Sequence, residues 1–239
     1  MNPDLPALPR PGRFRARLVE NRILNSTTHH LRFQTLDPLR YVSGQFVSVH
    51  RTVHEKPDKR AYSMATESEP DAFAICLNRV PEGPFSNYLC DLAPGSEIMC
   101  DGPYGVFVPR ISERETVFVA TGTGIGPIRS ILRELLRRGQ QAPMHLVFGS
   151  RHEDGILYRA EMEGLAAARP GFSYLPTLTR PPQGWKGAHG RVQAHLAPFL
   201  ARPELRVYIC GLRAMVEDVR ERFKQAGYER REVIHERFD

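Results

Sequence analysis

Residues 116–127 read Thr116-Val-Phe-Val-Ala-Thr-Gly-Thr-Gly-Ile-Gly-Pro127. A buried-type apolar run enters a glycine-rich turn, and Ile128, Ile131 and Leu135 then recur at helical spacing. Glycines permit a tight turn and a close approach of a ligand to the backbone. Free N–H groups and the dipole of the following helix favour an anion such as a pyrophosphate. The stretch predicts a strand, a dinucleotide-binding turn and a helix that begins near Pro127.

The turn alone leaves its ligand open. Its glycine spacing differs from the G-x-G-x-x-G of the usual dinucleotide fold, and it lacks the lysine of a P-loop. A glycine-rich connection without a ligand is the alternative interpretation.

Downstream of the turn, continuous apolar runs alternate with helical patterns. The last helix is expected from about Arg213 to Ala226. Strands that alternate with helices predict a five-stranded parallel sheet covered on both faces. The runs, including the first, fall at 116–120, 145–148, 172–178, 207–210 and 233–235.

Upstream of residue 110 the apolar residues recur at every second position, the period of a strand, and not at helical spacing. Phe14, Ala16 and Leu18 alternate with arginines, and turn residues separate several such segments. This pattern predicts an antiparallel β-barrel, interrupted by one short helix from about Ser86 to Leu92. The predicted organisation is an N-terminal tail at 1–12, a β-barrel domain at 13–110 and an α/β domain at 111–239.

The composition is that of an ordinary globular protein, with 41% hydrophobic and 25% charged residues among 239. No stretch reaches the apolar length of a membrane helix, and the proline-rich start lacks a signal-peptide core, so we expect a cytoplasmic protein. Cys76, Cys90 and Cys100 are interpreted as buried apolar residues, because no C-x-x-C pair points to a metal site. The pair His29–His30 is expected on an exposed strand.

The formal net charge is +6. A basic protein can bind nucleic acid, an anionic cofactor or an acidic protein. The arginines are scattered rather than clustered, which argues against nucleic acid and leaves mostly solvated charges. We expect an anionic cofactor and an acidic partner; the oligomeric state stays open.

Five short motifs occur in a fixed order along the chain. They are Arg60-Ala-Tyr-Ser63, Gly83-Pro-Phe-Ser86, Gly102-Pro-Tyr-Gly105, the 121–127 turn, and Cys210-Gly211. Together with the two domain types, they resemble the ferredoxin–NADP reductase superfamily over about residues 13–239. The resemblance implies an FAD-binding β-barrel followed by an NAD(P)-binding α/β domain.

The resemblance also assigns residues to FAD. Arg60 pairs with the pyrophosphate, a task that suits a forked guanidinium. Tyr62 lies against the isoalloxazine ring, and Ser63 places a hydroxyl near flavin N5. Backbone N–H groups at the start of the short helix and the serine hydroxyl hold the pyrophosphate. The implied FAD-binding residues are Arg60, Ala61, Tyr62, Ser63, Asn78, Arg79, Gly83, Pro84, Phe85 and Ser86, the pair Asn78–Arg79 being on the adenylate side.

In the second domain the resemblance places Gly122, Thr123, Gly124 and Pro127 at the nicotinamide dinucleotide. Cys210 and Gly211 fall at its nicotinamide end, where a buried strand-end cysteine without a role is the alternative.

The C-terminal segment carries the remaining assignments. Phe238 is interpreted as an aromatic cover of the flavin, with Glu236 as the accompanying acid, although Asp239 is one residue more than the plant-type pattern has. An ordinary core aromatic is the alternative for Phe238. The predicted catalytic residues are Ser63, Cys210, Glu236 and Phe238.

Positive residues at strand ends bear on the choice of nucleotide. Three arginines and two hydroxyl residues follow predicted strands, and together they favour the 2′-phosphate of NADPH. They are Arg151, Arg180 and Arg191, with Ser150 and Thr179. However, Trp185-Lys-Gly187 and Gly190-Arg191 also resemble reductase components of oxygenases, many of which use NADH, so NAD remains possible.

The function expected from this resemblance is hydride transfer between NADPH and FAD, with single electrons passed to or from a ferredoxin or flavodoxin. The flavin performs the chemistry, so no metal and no general base are needed. The alternatives are an NADH-dependent reductase subunit of an oxygenase and a non-catalytic regulatory subunit that binds FAD or nucleotide. The presence of Arg60, Tyr62 and Ser63 argues against the last, since a non-catalytic module needs no group at flavin N5.

Overall fold

The computed structural model describes residues 6–53, 56–110, 113–202 and 204–238. They divide into two compact units, one formed by the described residues of Met1–Ile111 with Arg129–Arg138, the other by those of Ser112–Ile128 with Gly139–Asp239. The predicted domain border at 110/111 adjoins residues 111 and 112, which lie outside the described residues, as do tail residues 1–5 and Asp239.

The first unit is an antiparallel sheet of six strands in the described part of the chain, in the order β4-β3-β6-β1-β2-β5. A bridge between Met64, which directly follows β4, and Ile75, in the middle of β5, joins the two edge strands and curls the sheet into a barrel. The elements are β1 (Gly12–Ile23), β2 (Thr28–Thr35), β3 (Phe46–Val53), β4 (Lys56–Ser63), β5 (Ala72–Asn78), α1 (Pro84–Cys90) and β6 (Glu97–Tyr104).

Alternation along β1 builds this core as expected. Phe14, Ala16 and Leu18 point inward and are buried, while the arginines between them face out. Phe33 and Phe73 stack inside with ring centroids 5.3 Å apart. The antiparallel barrel is thereby confirmed; its short helix begins two residues earlier than expected, because Pro84 suits the first helical turn.

The second unit is a parallel sheet with helices between its strands, which confirms the predicted class. The elements of this half of the chain are β7 (Thr116–Thr121), α2 (Ile125–Arg137), β8 (Met144–Ser150), α3 (Arg159–Ala168), β9 (Phe172–Leu178), β10 (Ala188–His189), α4 (Ala197–Leu200), β11 (Arg206–Leu212), α5 (Arg213–Gln225) and β12 (Val233–Phe238). The part of α2 from Arg129 onward belongs to the first unit. The strand order is β10-β9-β8-β7-β11-β12, so a two-residue edge strand joins the five that were expected in the described residues.

The chain order of this sheet reverses beside β7. From β7 the chain proceeds through β8 and β9 to β10 on one side, and then returns to place β11 and β12 on the other. The carboxyl ends of β7 and β11 therefore flank the reversal, which is where open α/β sheets bind ligands.

All four cysteines are free and buried, as interpreted for Cys76, Cys90 and Cys100. No helix within the described ranges has both the length and the apolar character that crossing a membrane requires.

The histidine pair contradicts the sequence expectation of an exposed strand. His29 and His30 lie on β2, and both are buried, at 6% and 4% exposure. Asn21 bonds the His29 ring at 2.8 Å. Burial, reinforced by the charges of Arg129, Arg22 and Arg32, lowers the pKa of His30 to about 3.

His30 is expected to make the protein sensitive to acid. A histidine in the unfolded chain titrates near pH 6.5. Below that pH the unfolded state binds a proton that the folded state does not bind, so the free energy of unfolding falls as the pH falls. Between pH 7 and pH 5 this costs about 2 kcal/mol of unfolding free energy. Urea unfolding followed by circular dichroism should show a loss that is about 2 kcal/mol smaller in His30→Gln than in the wild type, since burial also lowers the pKa of His29 and His235 in both proteins.

His152, whose side chain is exposed, provides the matched control, since His152→Gln should retain the full wild-type pH dependence. A His30→Gln variant that loses as much stability as the wild type between the two pH values would contradict the assignment.

Candidate functional site

The first group of candidate residues lies at the end of β4. Arg60 extends from the barrel with 59% of its side chain exposed and lies 5.9 Å from the centroid of the Phe85 ring. Tyr62 follows on the same face, 6.1 Å from Phe85 at an interplanar angle of 33°. Burial raises the pKa of Tyr62 to about 12, so its hydroxyl stays protonated. An exposed guanidinium thus stands beside an aromatic surface, as a flavin with its pyrophosphate would require.

The two neighbours on β4 differ in exposure. Ala61 points to the other face, opposite Ser48, and is exposed. Ser63 ends the strand opposite Phe46 and is 9% exposed. A hydroxyl at Ser63 is therefore held by the strand pairing and has limited contact with water.

The second group forms the start of α1. Gly83 precedes the helix and Pro84 opens it, while Phe85 and Ser86 are buried. The Ser86 hydroxyl accepts a bond from the Val80 N–H at 3.0 Å and donates one to the Gly83 carbonyl at 3.2 Å. The hydroxyl thus closes the turn before the helix. Pro84 has no N–H and the Gly83 N–H bonds the Val80 carbonyl at 2.9 Å, so the N–H groups of Phe85 and Ser86 are the ones left for the predicted pyrophosphate contact, which stays a prediction.

The adenylate-side pair is tied to the barrel. Asn78 accepts a bond from the Thr28 hydroxyl at 2.7 Å. Arg79 reaches along α1 to Asn87 at 3.1 Å and to the carboxylate of Asp91 at 2.6 Å. Arg79 therefore anchors α1, and its predicted contact to the adenylate stays a prediction.

Arg51 was missed by the sequence interpretation. It lies on β3, bonds the Pro84 carbonyl and places its guanidinium 5.0 Å from the centroid of the Tyr88 ring. Two arginines, Arg51 and Arg60, therefore converge on the start of α1. Only the register between β3 and β4 brings them together, which the sequence alone does not specify.

In the second unit, β7 runs into the predicted glycine turn. Residues Gly122–Gly124 form one 3-10 turn that leads into α2, with Thr123 half-buried and Pro127 buried in the first helical turn. Gly122 has a φ of +54°, a region that glycine enters without strain, and nothing lies within 4 Å of the position a side chain would take. The backbone at Gly122 is thus open to a ligand.

Gly124 serves a different purpose from Gly122. A Cβ placed on it would lie 2.6 Å from the carbonyl carbon of Cys210 and 2.7 Å from the nitrogen of Gly211. The start of α2 therefore rests directly on the end of β11. This close approach brings the predicted residues of the turn together with Cys210 and Gly211.

Cys210 itself is fully buried between β7 and β12, opposite Ala120 and Glu236. Burial, and secondarily the charge of Glu236, raises the pKa of the Cys210 thiol well above its usual range. A protonated, inaccessible thiol is unsuited to nucleophilic attack. Phe238 ends β12 opposite Leu212 and is half-buried, and its predicted role as a cover stays a prediction.

Thr121, the residue just before the glycines, was also missed. Its Oγ1 is buried and has no hydrogen-bond partner among the described residues. Buried hydroxyls are nearly always satisfied, so an orphan at this turn fits a ligand that supplies the missing partner. A phosphate or amide oxygen of a nucleotide has the required acceptors.

Three of the predicted nucleotide contacts are arginines near the carboxyl ends of β8 and β9. The Thr179 N–H bonds the Ser150 carbonyl at 3.0 Å and the Arg180 N–H bonds the Arg151 carbonyl at 2.8 Å, so the two segments continue side by side past the strands. Arg191 follows Gly190, which bonds the Leu178 carbonyl at 2.8 Å.

All three arginines are exposed, and none forms an ion pair within the described ranges. By contrast, Arg13, Arg15 and Arg17 of β1 each pair with a carboxylate. Unpaired guanidinium groups attract anions, and the predicted contact of these three arginines to a nucleotide stays a prediction.

Comparison with known proteins assigns a cofactor-binding family to each half of the chain. The family model described as an oxidoreductase FAD-binding domain matches residues 15–108, and that described as an oxidoreductase NAD-binding domain matches residues 118–221.

Two curated relatives and one solved structure illustrate the range of similar proteins. Ferredoxin–NADP reductase B of Sorangium cellulosum is 39% identical over 95% of this chain and 98% of its own. The toluate 1,2-dioxygenase electron transfer component of Pseudomonas putida is 28% identical over 94% of this chain and 67% of its own. A ferredoxin NADP+ reductase from Neisseria gonorrhoeae, solved with bound FAD and NADP, superposes with a TM-score of 0.83 at 20% identity, covering 94% of this chain and 98% of its own.

Proposed function

Because this chain belongs to the ferredoxin–NADP reductase superfamily and is an FAD-dependent oxidoreductase of that type, we propose that it exchanges electrons between NADPH and a small acidic carrier protein, a ferredoxin or flavodoxin. When bound, the flavin supplies the conversion between two-electron and one-electron transfer. The residues of this chain supply binding, orientation and protection from water.

The preference for NADPH rests on the exposed, unpaired arginines Arg151, Arg180 and Arg191. A 2′-phosphate carries charge that NADH lacks, and guanidinium groups bind phosphate through paired N–H donors. No carboxylate neutralises these three arginines in the described residues, so their charge is available to a ligand. Ser150 and Thr179 stand beside them, with the Ser150 hydroxyl donating to the His152 carbonyl.

Gly122, Thr123, Gly124 and Pro127 are proposed to bind the pyrophosphate of the nucleotide, with the Thr121 hydroxyl as an added contact. Arg60 and the first turn of α1 are proposed to bind the FAD pyrophosphate, with Tyr62 against the flavin ring. Ser63, Glu236 and Phe238 keep their predicted catalytic roles as proposals. Cys210 is proposed to act only as a small packed side chain, since its thiol is buried and protonated.

An acidic electron carrier is the proposed partner because the chain carries a net charge of +6. Such a pair should associate faster at low ionic strength, since salt screens the attraction. Four free cysteines suit a reducing compartment, and the cytoplasm is the proposed location.

An NADH-dependent reductase component of an oxygenase is the second candidate. The P. putida electron transfer component favours it, as do Trp185-Lys-Gly187 and Arg191, which resemble such components.

Anaerobic stopped-flow spectroscopy of the FAD-loaded protein tests the proposal. We expect NADPH to bleach the flavin absorbance at least tenfold faster than NADH at equal concentration, because a charged hydrogen bond to the 2′-phosphate is worth about 1.5–3 kcal/mol. Faster bleaching by NADH would favour the oxygenase-reductase candidate. A protein that cannot be loaded with FAD, or whose flavin neither nucleotide reduces, would contradict the enzyme and favour a binding subunit.

A further inference from the structure

The guanidinium proposed to hold the FAD pyrophosphate already has an anionic partner within the protein. Arg60 Nη1 lies 2.6 Å from Asp58 Oδ1, and the same nitrogen donates to the Lys59 carbonyl at 2.9 Å. The Asp58 side chain is 28% exposed, less than the 59% of Arg60. Asp58 is thus held against the barrel, and its carboxylate occupies a guanidinium donor that a phosphate oxygen could otherwise use.

The strand register places this carboxylate among the positive charges at α1. Residues two apart on a strand share a face, so Asp58, Arg60 and Tyr62 point the same way. Across the ladder, Asp58 is paired with Arg51, whose guanidinium lies over Tyr88 and bonds the Pro84 carbonyl. Asp58 is therefore a fixed negative charge on the face that carries both arginines.

An anion at this position opposes a second anion. A diphosphate that binds Arg60 must either take Nη1 from Asp58 or use the other guanidinium donors, and in both cases it lies within a few ångströms of the Asp58 carboxylate. Two like charges about 4 Å apart repel even in a high dielectric. Exposed ion pairs contribute little to stability, so the fold itself does not need this carboxylate.

We propose that Asp58 competes with the FAD pyrophosphate for Arg60. This competition weakens the binding of FAD and speeds its dissociation. This inference rests on the proposed function, in which Arg60 binds FAD. With Asp58 present, FAD dissociates more readily than it would from the same hydrogen-bond donors without this carboxylate. When no flavin is bound, Asp58 keeps Arg60 paired.

The test is the affinity of the apo-protein for FAD, measured by quenching of FAD fluorescence. Asp58→Asn keeps the size of the side chain and removes its charge. We expect it to bind FAD about fivefold more tightly than the wild type, the factor that corresponds to about 1 kcal/mol between unit charges 4 Å apart in water. The dissociation rate of FAD should fall by a similar factor.

Two controls isolate the competition. Asp37→Asn removes an equal charge from the same unit, where Asp37 pairs with Arg15 of β1, and should leave the affinity for FAD within twofold of the wild type. Riboflavin, which has no phosphate, should bind Asp58→Asn and the wild type equally. A gain that appears with riboflavin as well would mean that Asp58 acts on the flavin ring and would overturn the proposal.

The outcomes also separate this inference from the proposed function. If the wild type binds FAD and Asp58→Asn binds it no better, or more weakly, Asp58 positions Arg60 instead of competing for it, and the inference fails alone. If neither the wild type nor Asp58→Asn binds FAD, the proposed function fails and the inference with it.

Discussion

Gly124→Ala is expected to slow the reduction of bound flavin by NADPH about 100-fold and to destabilise the protein by about 3 kcal/mol. The added methyl carbon would lie 2.6 Å from the carbonyl carbon of Cys210, closer than carbon atoms approach in proteins. The obstacle is backbone, so no side chain can rotate away. The start of α2 must move off β11, and the turn that is proposed to hold the nucleotide moves with it.

Stopped-flow reduction by NADPH and thermal unfolding measure the two effects. Reduction of the same bound flavin by dithionite should remain complete, because dithionite needs no nucleotide site. Gly164→Ala is the matched control: Gly164 lies in α3 with nothing within 4 Å of its added carbon, so this variant should reduce at the wild-type rate and gain slightly in helix stability. Wild-type stability and reduction in Gly124→Ala would contradict the close contact between α2 and β11.

The glycine turn was readable from the sequence because local rules determine it. An apolar run, closely spaced glycines and a helical repeat specify strand, turn and helix over 22 residues, and the structure follows with β7 and α2. The distinct roles of two of the glycines were not readable. Gly122 is open and Gly124 is crowded only because β11, more than 80 residues later, returns beside β7.

The failures share the same cause, which is contact between distant segments. His29 and His30 were expected on an exposed strand, with no recognisable metal-ligand partner in the sequence. In the barrel both faces of β2 are covered, and Asn21 supplies the polar partner that lets His29 be buried. The edge strand Ala188–His189 has two residues, too few to leave a periodic signal.

The pairing of Asp58 with Arg60 lies between these cases. Their spacing of two already puts both side chains on one face of a strand. The positions of the cross-strand partner Arg51 and of α1 depend on tertiary structure. They place the Asp58 carboxylate where we propose that the anionic pyrophosphate binds. Motif resemblance located Arg60, and only the structure located its competitor.

Arg180→Ala is expected to raise the dissociation constant of NADP+ by about 10- to 100-fold and that of NAD+ by less than twofold. The two nucleotides differ only in the 2′-phosphate, and a hydrogen bond to a charged group contributes about 1.5–3 kcal/mol. Arg180 is exposed and lies beside Arg151 through the backbone bond that joins the two segments. Titration of the FAD-loaded protein with each oxidised nucleotide, followed by the change in flavin spectrum, measures both constants.

Arg151→Ala should act in the same direction. Because the two arginines are proposed to share one phosphate, the double variant should lose less than the sum of the two single losses. Arg230→Ala is the matched control, since Arg230 is exposed on the same unit but precedes the amino end of β12, at the opposite edge of the sheet from the strand ends that carry Arg151 and Arg180. Its affinity for both nucleotides should equal that of the wild type. If Arg180→Ala weakens NADP+ and NAD+ equally, Arg180 contacts a part that the two nucleotides share, and the arginines at this edge no longer argue for NADPH over NADH.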